Sequence, residues 1–594
     1  MYQQIKKGAL ALSLSLCCVG AFAQKTITGN VKDATGEPLI GVTIQAGKGG
    51  TVTDIDGNFS LQNLKPGDKI TISYLGCKTQ TITVGNQSAL NIVMQSADKS
   101  LDEVVVIGYG TMKRRDLTGA VASVTGDKLA ANPVANVAEA LQGQLPGVSV
   151  TSQDGRPGAT MSIRVRGGGS ITQSNDPLFI VDGVQVSRID DIPADNIESI
   201  DVLKDAASTA IYGARGANGV ILVTTKKGKD GAVKLNYSGT VTFSNLSDVA
   251  KYMSASEWID YARQAYYNAG SYGTGEFAPS YDLDYKFFGS SAGWKNIDQA
   301  WVNGVYHPEL VGSYDWASKA KQTGITSEHT LSVSGGTDKV KAYGSFGYLN
   351  QKGVEKGQSF KRFTMNTSVE IKPLRYFLMG ITMNASYGDQ NYGYNFAASV
   401  TGSGSYYSAM RGMIPWTVPY DENGDVVTTP FAYNNTLENP IDELKYTTNK
   451  RRNFRINGSA YAQLDFGKIW QPLDGLTYRI QFGPELQYYR LGIAYAKESI
   501  NGKGNNVAQY NPYQNVAWVL DNLIYYNKTI AKDHHIGVTL LQSASKTHYE
   551  SGFIKANVAT SDELWYNTSS LADPLSYSTG LTEDQLASYM IRGN

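Results

Sequence analysis

The sequence has 594 residues, so several domains are expected rather than one. Its 53 lysine and arginine residues balance 53 aspartate and glutamate residues, which argues against a nucleic-acid-binding protein because such proteins carry a basic excess. Tyrosine (38 residues) far outnumbers phenylalanine (17 residues), and this surplus suits β-strands that have one wet end.

Residues 1–23 have the pattern of an export signal. Lys6 and Lys7 precede an apolar run over 8–22, and Ala-Phe-Ala at 21–23 is a suitable cleavage site. Cys17 and Cys18 lie inside this signal, so the mature chain keeps only Cys77 and forms no internal disulfide. No apolar run of about 18 residues follows, so the exported chain is expected to be either soluble or a closed β-barrel.

Residues 24–96 predict a small all-β domain, because short alternating runs are separated by turns that contain glycine. TVTDIDGNFSL predicts a hairpin around Asp56 and Gly57. A calcium loop is the alternative, but it needs glycine at its sixth position and an acid at its twelfth. The sequence has Phe59 and Lys65 there, so the turn is favoured.

Residues 97–118 form a polar linker around one β-branched run. Val104–Ile107 predicts a strand, yet the neighbouring residues offer it no obvious hairpin partner. Residues 119–228 follow as a mixed α/β unit. NVAEALQGQLPGVSV predicts a helix and then a strand, IESIDVLKDAASTAIYG predicts a strand and then a helix, and MSIRVRGGGS, PLFIVDGVQV and GVILVTTKKG predict strands.

Residues 229–594 consist of alternating runs of about ten residues, separated by long loops rich in Tyr, Gly and Asn such as 388–450. RYFLMGITMNASY, for example, has Met379 and Ile381 on one face and Thr382 and Asn384 on the other. AVKLNYSGTVTF, VKAYGSFGYL, RFTMNTSVEIK and FRINGSAYAQLDF alternate in the same way. A soluble β-sandwich also alternates, but its strands usually have about five or six residues, so a transmembrane β-barrel is favoured.

Several stretches carry a resemblance to a known family: LDEVVVIGYGTMKRRDLTGAV, IRVRGGGSI, PLFIVDGV and IESIDVLKDAASTAIYGARGANGVILVTTKKG. Over essentially its whole length, the chain resembles the SusC/RagA-like TonB-dependent transporters of the outer membrane. The resemblance implies a mainly β fold with an N-terminal β-sandwich-like domain, an α/β plug domain and an antiparallel transmembrane β-barrel. The implied segments are a signal peptide at 1–23, a carboxypeptidase-regulatory-like β domain at 24–96, a linker with a TonB box at 97–118, a plug at 119–228 and the N-terminal part of the barrel at 229–594.

The strand in the linker is the expected attachment point for TonB. A solitary extended segment can add to the sheet edge of another protein, with its main chain supplying the affinity. By resemblance the partner is TonB, which acts with an inner-membrane energising complex. The expected TonB box is Asp102, Glu103, Val104, Val105, Val106, Ile107 and Gly108. The alternative is that Val104–Val106 pack permanently on the preceding domain.

A polar, glycine-rich loop of the plug is the candidate for contact with substrate. The candidate residues are Gly168, Gly169, Ser170, Thr172, Asn175 and Asp176. A turn that requires positive φ explains the same glycines equally well.

The implied function is energy-coupled import of a nutrient through rearrangement of the plug. The substrate is expected to be an oligosaccharide or glycan fragment, with a peptide as the alternative, and a SusD-like surface lipoprotein is the implied second partner. A passive porin or an adhesin is the rival class. No catalytic residue, metal or cofactor is expected, because five histidines occur without an HExxH pattern or any other recognisable site.

The barrel part is shorter than the family pattern requires. Residues 232–594 provide room for about a dozen strands of roughly ten residues, which is about half of a closed wall. The sequence therefore predicts a truncated product or a fragment with an incomplete barrel.

Overall fold

The computed structural model describes residues 25–593, apart from 34–35, 47–48, 66, 75–76, 78, 86, 95–103, 108–109, 114–120, 133, 153, 173, 248–250, 396–403, 435, 531–533 and 559–570. The predicted signal at 1–23 lies outside the described residues. The chain divides into two compact units, one of residues 1–105 with 111–117 and one of residues 106–110 with 118–594. No helix in the part of the chain just defined is long and apolar enough to cross a membrane.

The first unit contains two small sheets. Strands β4, β1 and β7 form one, and β3, β2, β5 and β6 form the other. Ile44 and Ile72 are fully buried because alternate residues of each strand face a shared apolar core. The strands are β1 (Lys25–Lys32), β2 (Thr43–Ala46), β3 (Gly49–Val52), β4 (Asn58–Leu64), β5 (Lys69–Ser73), β6 (Gln80–Thr83) and β7 (Ala89–Val93). The expectation of an all-β N-terminal domain is confirmed.

The predicted hairpin around Asp56 and Gly57 is wrong in its pairing. The turn exists, since the Asp54 carboxylate accepts hydrogen bonds from the amides of Asp56 (3.0 Å) and Asn58 (2.8 Å). However, β3 pairs with β2 and β4 pairs with β1, so the two flanking strands belong to different sheets. The turn therefore carries the chain from one sheet to the other.

The β-branched run of the linker has a local partner, contrary to the sequence-based expectation of a solitary strand. Strand β8 (Val104–Ile107) pairs with β9 (Gly110–Lys113) in a two-stranded sheet. Only two residues separate these strands in the sequence, which is the length of the commonest hairpin connection. Because the sheet has only these two strands, one edge of β8 has no strand beside it among the described residues.

The α/β unit, residues 121–225, is built on a five-stranded sheet in the order β10-β15-β16-β13-β14, with β11 and β12 paired separately. Its strands are β10 (Val121–Thr125), β11 (Val148–Ser152), β12 (Met161–Val165), β13 (Leu178–Val181), β14 (Val184–Val186), β15 (Ile197–Leu203) and β16 (Val220–Thr225). Short α-helices span Gly126–Ala130, Val137–Ala140 and Ala206–Thr209. The mixed helix and strand pattern read from the sequence is confirmed.

Ten long strands form one antiparallel sheet, called here the strand wall. It contains β17 (Gly231–Ser244), β20 (Gly324–Gly336), β21 (Val340–Lys352), β22 (Ser359–Leu374), β23 (Phe377–Asn391), β24 (Thr447–Asp465), β25 (Leu476–Tyr495), β26 (Val507–Ile530), β27 (His534–Val558) and β28 (Leu571–Gly593). Within the described ranges the wall is open, with β17 and β28 as its edges. The wall has ten strands among the described residues, close to the dozen expected, but these strands have 13 to 25 residues rather than about ten.

The polarity of the strand wall is the reverse of that in a water-soluble sheet. On β22, Phe363 and Met365 are 41% and 45% exposed, whereas Thr364 and Asn366 are 5% and 1% exposed. On β23, Ile381 is 54% exposed and Thr382 only 5%. A soluble body would bury its apolar face, so an outward apolar face and an inward polar face fit a wall surrounded by lipid.

The loops are long at one end of the wall and short at the other. At the short-turn end, two to ten residues join successive strands at 337–339, 375–376 and 466–475. At the long-loop end, residues 245–323 join β17 to β20 and residues 392–446 join β23 to β24. These connections contain the pair β18 (Trp301–Val302) and β19 (Val305–Tyr306) and α-helices at Ala255–Asn268, Tyr281–Phe288, Lys295–Asp298, Trp316–Ala320, Tyr406–Arg411 and Glu443–Tyr446.

The long loops are more ordered than their composition indicated. Trp416, Phe288 and Ile259 have no exposed surface and share one apolar cluster. Arg263 and Asp284 are both completely buried and paired, with 2.9 Å between Arg263 Nε and Asp284 Oδ1. A buried ion pair survives only when it is well hydrogen-bonded, so this loop layer (residues 251–323 and 404–446) is a packed structure.

Candidate binding pocket between the α/β unit and the strand wall

A buried charge network joins the α/β unit to the inner face of the wall. Arg455 of β24 has no exposed surface, and its guanidinium lies 2.7 Å from Asp191 and 2.8 Å from Glu485 of β25. Ser386 of β23 donates to Asp191 at 2.6 Å, and the Ser187 amide donates to Glu485 at 3.0 Å. The wall strands therefore bind the α/β unit through residues that are far apart in the sequence, so no local sequence pattern predicts these contacts.

The pKa values of two neighbouring acids in this network, Asp190 and Asp191, are shifted in opposite directions. Burial acts to raise the pKa of Asp191, but the Arg455 and Arg188 guanidinium groups outweigh it, and the net pKa is lowered. For Asp190, burial raises the pKa and the Arg188 charge offsets it only in part. Asp191 is thus the acid that stays ionised as the partner of Arg455.

Other contacts hold the unit through small or polar residues. Asn196 accepts hydrogen bonds from Tyr343 (3.1 Å) and Ser345 (2.7 Å) of β21. Gly483 of β25 lies so close to β14 that a Cβ placed there would be 2.0 Å from Val184 Cγ1. The strand wall therefore needs glycine at position 483 so that β25 can lie this close to β14 of the α/β unit.

This close approach makes Gly483→Ala a sensitive probe. We expect the variant to lose about 1–3 kcal/mol of stability through overpacking, seen as a lower unfolding temperature of the purified protein. Gly344→Ala is the matched control, since its Cβ would meet only Val333 at an ordinary 3.8 Å. Adding Val184→Ala should restore most of the loss, whereas equal unfolding temperatures for Gly483→Ala and Gly344→Ala would contradict the contact.

A cavity of about 640 Å³ lies between the α/β unit and the wall, at the long-loop end. Its wall side includes Phe360 at the start of β22, Tyr392 just after β23 and Arg451 near the start of β24. Tyr489 and Tyr513 stack with ring centroids 4.7 Å apart and line the same space. This volume falls within the range of small-ligand pockets, roughly 300–1,000 Å³.

One edge of the pocket is a cation–aromatic arrangement. The Arg156 guanidinium lies 4.2 Å from the centre of the Tyr392 ring and the Arg451 guanidinium 3.3 Å from it. Asp154 pairs with Arg156 at 2.6 Å and accepts from the Tyr392 hydroxyl at 3.0 Å. Burial opposes ionisation of Asp154, but hydrogen bonds from Arg156 and its charge leave the pKa lowered. The result is a rigid, charged and aromatic edge suited to polar ligands.

The plug loop predicted from the sequence does not line this pocket. Gly168, Gly169, Thr172 and Asp176 are exposed, and Ser170 and Asn175 are half-exposed. The loop is closed on itself, since the Ser170 amide donates to the Asn175 side chain at 2.8 Å and that side chain donates back to the Ser170 carbonyl at 2.7 Å. Its role in substrate contact stays a prediction.

Only part of the predicted TonB box lies in the described residues. Asp102, Glu103 and Gly108 lie outside them, and the backbone of Val104, Val105, Val106 and Ile107 forms β8. Sequence reasoning missed the pocket residues Asp154, Arg156, Tyr392 and Arg451. The run DGRPG at 154–158 was the one local signal of this pocket. It places an aspartate and an arginine together in a turn motif, and such a charged pair is a candidate for contact with another part of the chain.

Two domain families match the chain. Residues 27–106 match the CarboxypepD_reg-like domain, and residues 113–220 match the TonB-dependent Receptor Plug Domain. Together with the inside-out strand wall, the matched plug defines the class of TonB-dependent receptors.

Comparisons with individual proteins indicate which family of TonB-dependent receptors the chain resembles. TonB-dependent receptor P26 of Formosa agariphila is 31% identical over 577 residues, covering 94% of this chain and 52% of P26. TonB-dependent receptor SusC of Bacteroides thetaiotaomicron is 37% identical over 368 residues, covering 60% of this chain and 33% of SusC. The RagAB peptide importer in its open-open state superposes with a TM-score of 0.66 at 26% identity, covering 83% of this chain and 54% of that one.

The chain belongs to the SusC/RagA-like family of TonB-dependent receptors, as the sequence blocks indicated. It spans about half the length of P26.

Proposed function

We propose that this chain is the plug-bearing part of an energy-coupled importer of the outer membrane, exported by the signal at 1–23 with its N-terminal domain in the periplasm. The observation that carries the proposal is the inside-out wall, whose polar inner face is fastened to an α/β plug beside a pocket at the long-loop end. The segments 24–96, 97–118, 119–228 and 229–594 keep the roles that the family resemblance implies. Binding and transport, not catalysis, are the activities proposed.

The coupling to TonB runs through Asp102–Gly108. Strand addition requires a free sheet edge, and β8 has one because β9 is its only neighbouring strand among the described residues. TonB can therefore pair with β8 without first opening the β8–β9 hairpin. Force on this segment would then reach the plug that follows it in the chain, with the inner-membrane complex as the energy source.

The nutrient proposed is an oligosaccharide or glycan fragment, captured with a SusD-like surface lipoprotein. The stacked pair Tyr489 and Tyr513 and the polar pocket edge suit sugar rings, which pack on aromatic faces. A peptide is the second candidate, supported by the likeness to the RagAB peptide importer. A passive porin or an adhesin would need neither a plug nor a TonB box.

Uptake by cells that carry the gene in its native setting tests the coupling. Val105→Pro removes a main-chain donor from β8, and we expect it to abolish energy-dependent uptake of a labelled oligosaccharide mixture while surface binding persists. Val105→Thr keeps the donor and the β-branched shape, so its uptake should match that of the parent. Deletion of 102–108 should act like the proline variant, and unchanged uptake after deletion would instead support a passive porin.

A further inference from the structure

We propose that the pocket at the long-loop end binds a ligand bearing carboxylate groups, with Arg451 as the principal contact. The inference rests on the proposed import function and adds the chemical class of the substrate. It follows from how the charges around the cavity are paired.

Three of the four arginines that line the cavity already have acidic partners. Arg156 pairs with Asp154 at 2.6 Å, Arg188 with Asp190 at 2.9 Å, and Arg362 with Glu328 at 3.3 Å. Arg451 makes no ion pair within the described part of the chain and packs on the Tyr392 ring. A half-buried cation that has an aromatic contact but no counter-ion is a ready partner for an incoming anion.

The buried polar atoms of the lining that have no hydrogen-bond partner are all donors. Of the described lining residues, Arg156, Arg188 and Arg451 each have a buried Nε without a hydrogen-bond partner. No acceptor atom of the described lining is left in this state. Because these Nε atoms have almost no accessible surface, a ligand in the cavity cannot reach them, and the preference for acceptor oxygens rests on the charge of Arg451.

Three of the four acids of the lining are already paired with arginine and so do not cancel this preference. Asp154, Asp190 and Asp191 are each held by an arginine, through the pairs given above and Arg455. Glu139 is the remaining lining acid, and burial raises its pKa. The carboxylate therefore meets one guanidinium that has no ion pair, in a space that also offers stacked tyrosines.

Calorimetric titration of the purified full chain at pH 7 and low salt tests the class of ligand. The probes are trigalacturonate against maltotriose, and triglutamate against triglutamine, so each acidic probe has a neutral match. We expect at least one acidic probe to bind at least ~10-fold more tightly than its neutral match, with the difference shrinking as salt is added. The probe pair that shows the preference tells whether the carboxylate belongs to a sugar or a peptide.

Arg451→Gln should lower the affinity for the acidic probe by ~10-fold or more and so remove its preference over the neutral match. Arg375→Gln is the matched control, because Arg375 is exposed at the short-turn end, and it should keep the preference. Equal binding of acidic and neutral probes, or no binding of either acidic probe, would overturn the proposal. Either result would leave the import function standing if Val105→Pro still abolishes uptake.

Discussion

Arg455→Ala is expected to lower the free energy that holds the plug in place by ~3–5 kcal/mol. The arginine has no exposed surface and bridges Asp191 of the plug to Glu485 of the wall. Its removal leaves two carboxylates buried without their cation, and uncompensated buried charge is the costly product of breaking such a network. Hydrogen exchange of the β16 amides in the purified protein measures the opening free energy of the plug sheet directly.

The same strand provides the control for Arg455. Arg452 pairs with Asp389 of β23 at 3.2 Å, but the two side chains are 40% and 36% exposed. Arg452→Ala should therefore cost less than ~1 kcal/mol, because water screens an exposed pair. Similar losses for both variants would show that burial of the Arg455 network has no energetic consequence.

A triple variant distinguishes two causes of the Arg455→Ala loss: the missing attraction between Arg455 and its two acids, and the cost of leaving those two acids buried without a cation. Arg455→Met combined with Asp191→Asn and Glu485→Gln removes all three charges together and should recover most of the stability lost in Arg455→Ala. It should also abolish any pH dependence of plug opening that Asp191 contributes. The lowered pKa of Asp191 means that this contribution is complete above the ordinary aspartate range and is lost as pH falls through the lowered value.

The faces of the wall strands were predictable because they depend on a local rule. Side chains alternate along a strand, so Met379 and Ile381 had to share one face and Thr382 and Asn384 the other, and the structure places them so. Strand length was underestimated because the polar ends of each strand resemble loop in composition. Residues 509–515 (QYNPYQN), for example, belong to β26 although their composition is that of a polar loop.

The pocket was not predictable because its parts are far apart in the chain. Arg156 and Tyr392 are 236 residues apart, and Asp191 and Arg455 are 264 apart, so only the folded wall brings each pair together. The loop layer is a different case. The capping box formed by Ser254 and Glu257 opens the helix Ala255–Asn268, a local signal that the sequence-based prediction of long polar loops did not include.

The loop layer also contains the group with the clearest pH response. Glu443, 3% exposed, accepts a hydrogen bond from the Ile500 amide at 2.8 Å and so ties the loop 392–446 to the loop 496–506. Burial raises the pKa of Glu443 to about 7, with the Ile500 amide acting against the rise and Glu438 adding to it. Burial and the charge of Glu443 together raise the pKa of Tyr394 and of Tyr495.

The sign of the effect follows from the raised value. An acid whose pKa is higher in the folded state contributes stability that is complete below its unfolded value, near 4.5, and lost as pH rises through about 7. The loss amounts to roughly 3 kcal/mol, since each unit of pKa shift corresponds to ~1.4 kcal/mol. We therefore expect the unfolding temperature of the loop layer, followed by tryptophan fluorescence, to fall between pH 5 and pH 8.

Glu443→Gln isolates this group from the other acids that titrate in the same interval. Glutamine keeps an acceptor for the Ile500 amide but never ionises, so the variant should lack the Glu443 share of the pH dependence and be the more stable protein at pH 8. Glu422→Gln is the control, because Glu422 has 78% of its side chain exposed and its loss should leave the parent profile unchanged. If parent and Glu443→Gln lose stability equally between pH 5 and pH 8, the carboxyl of Glu443 ionises in its ordinary range and the two loops are tied by other contacts.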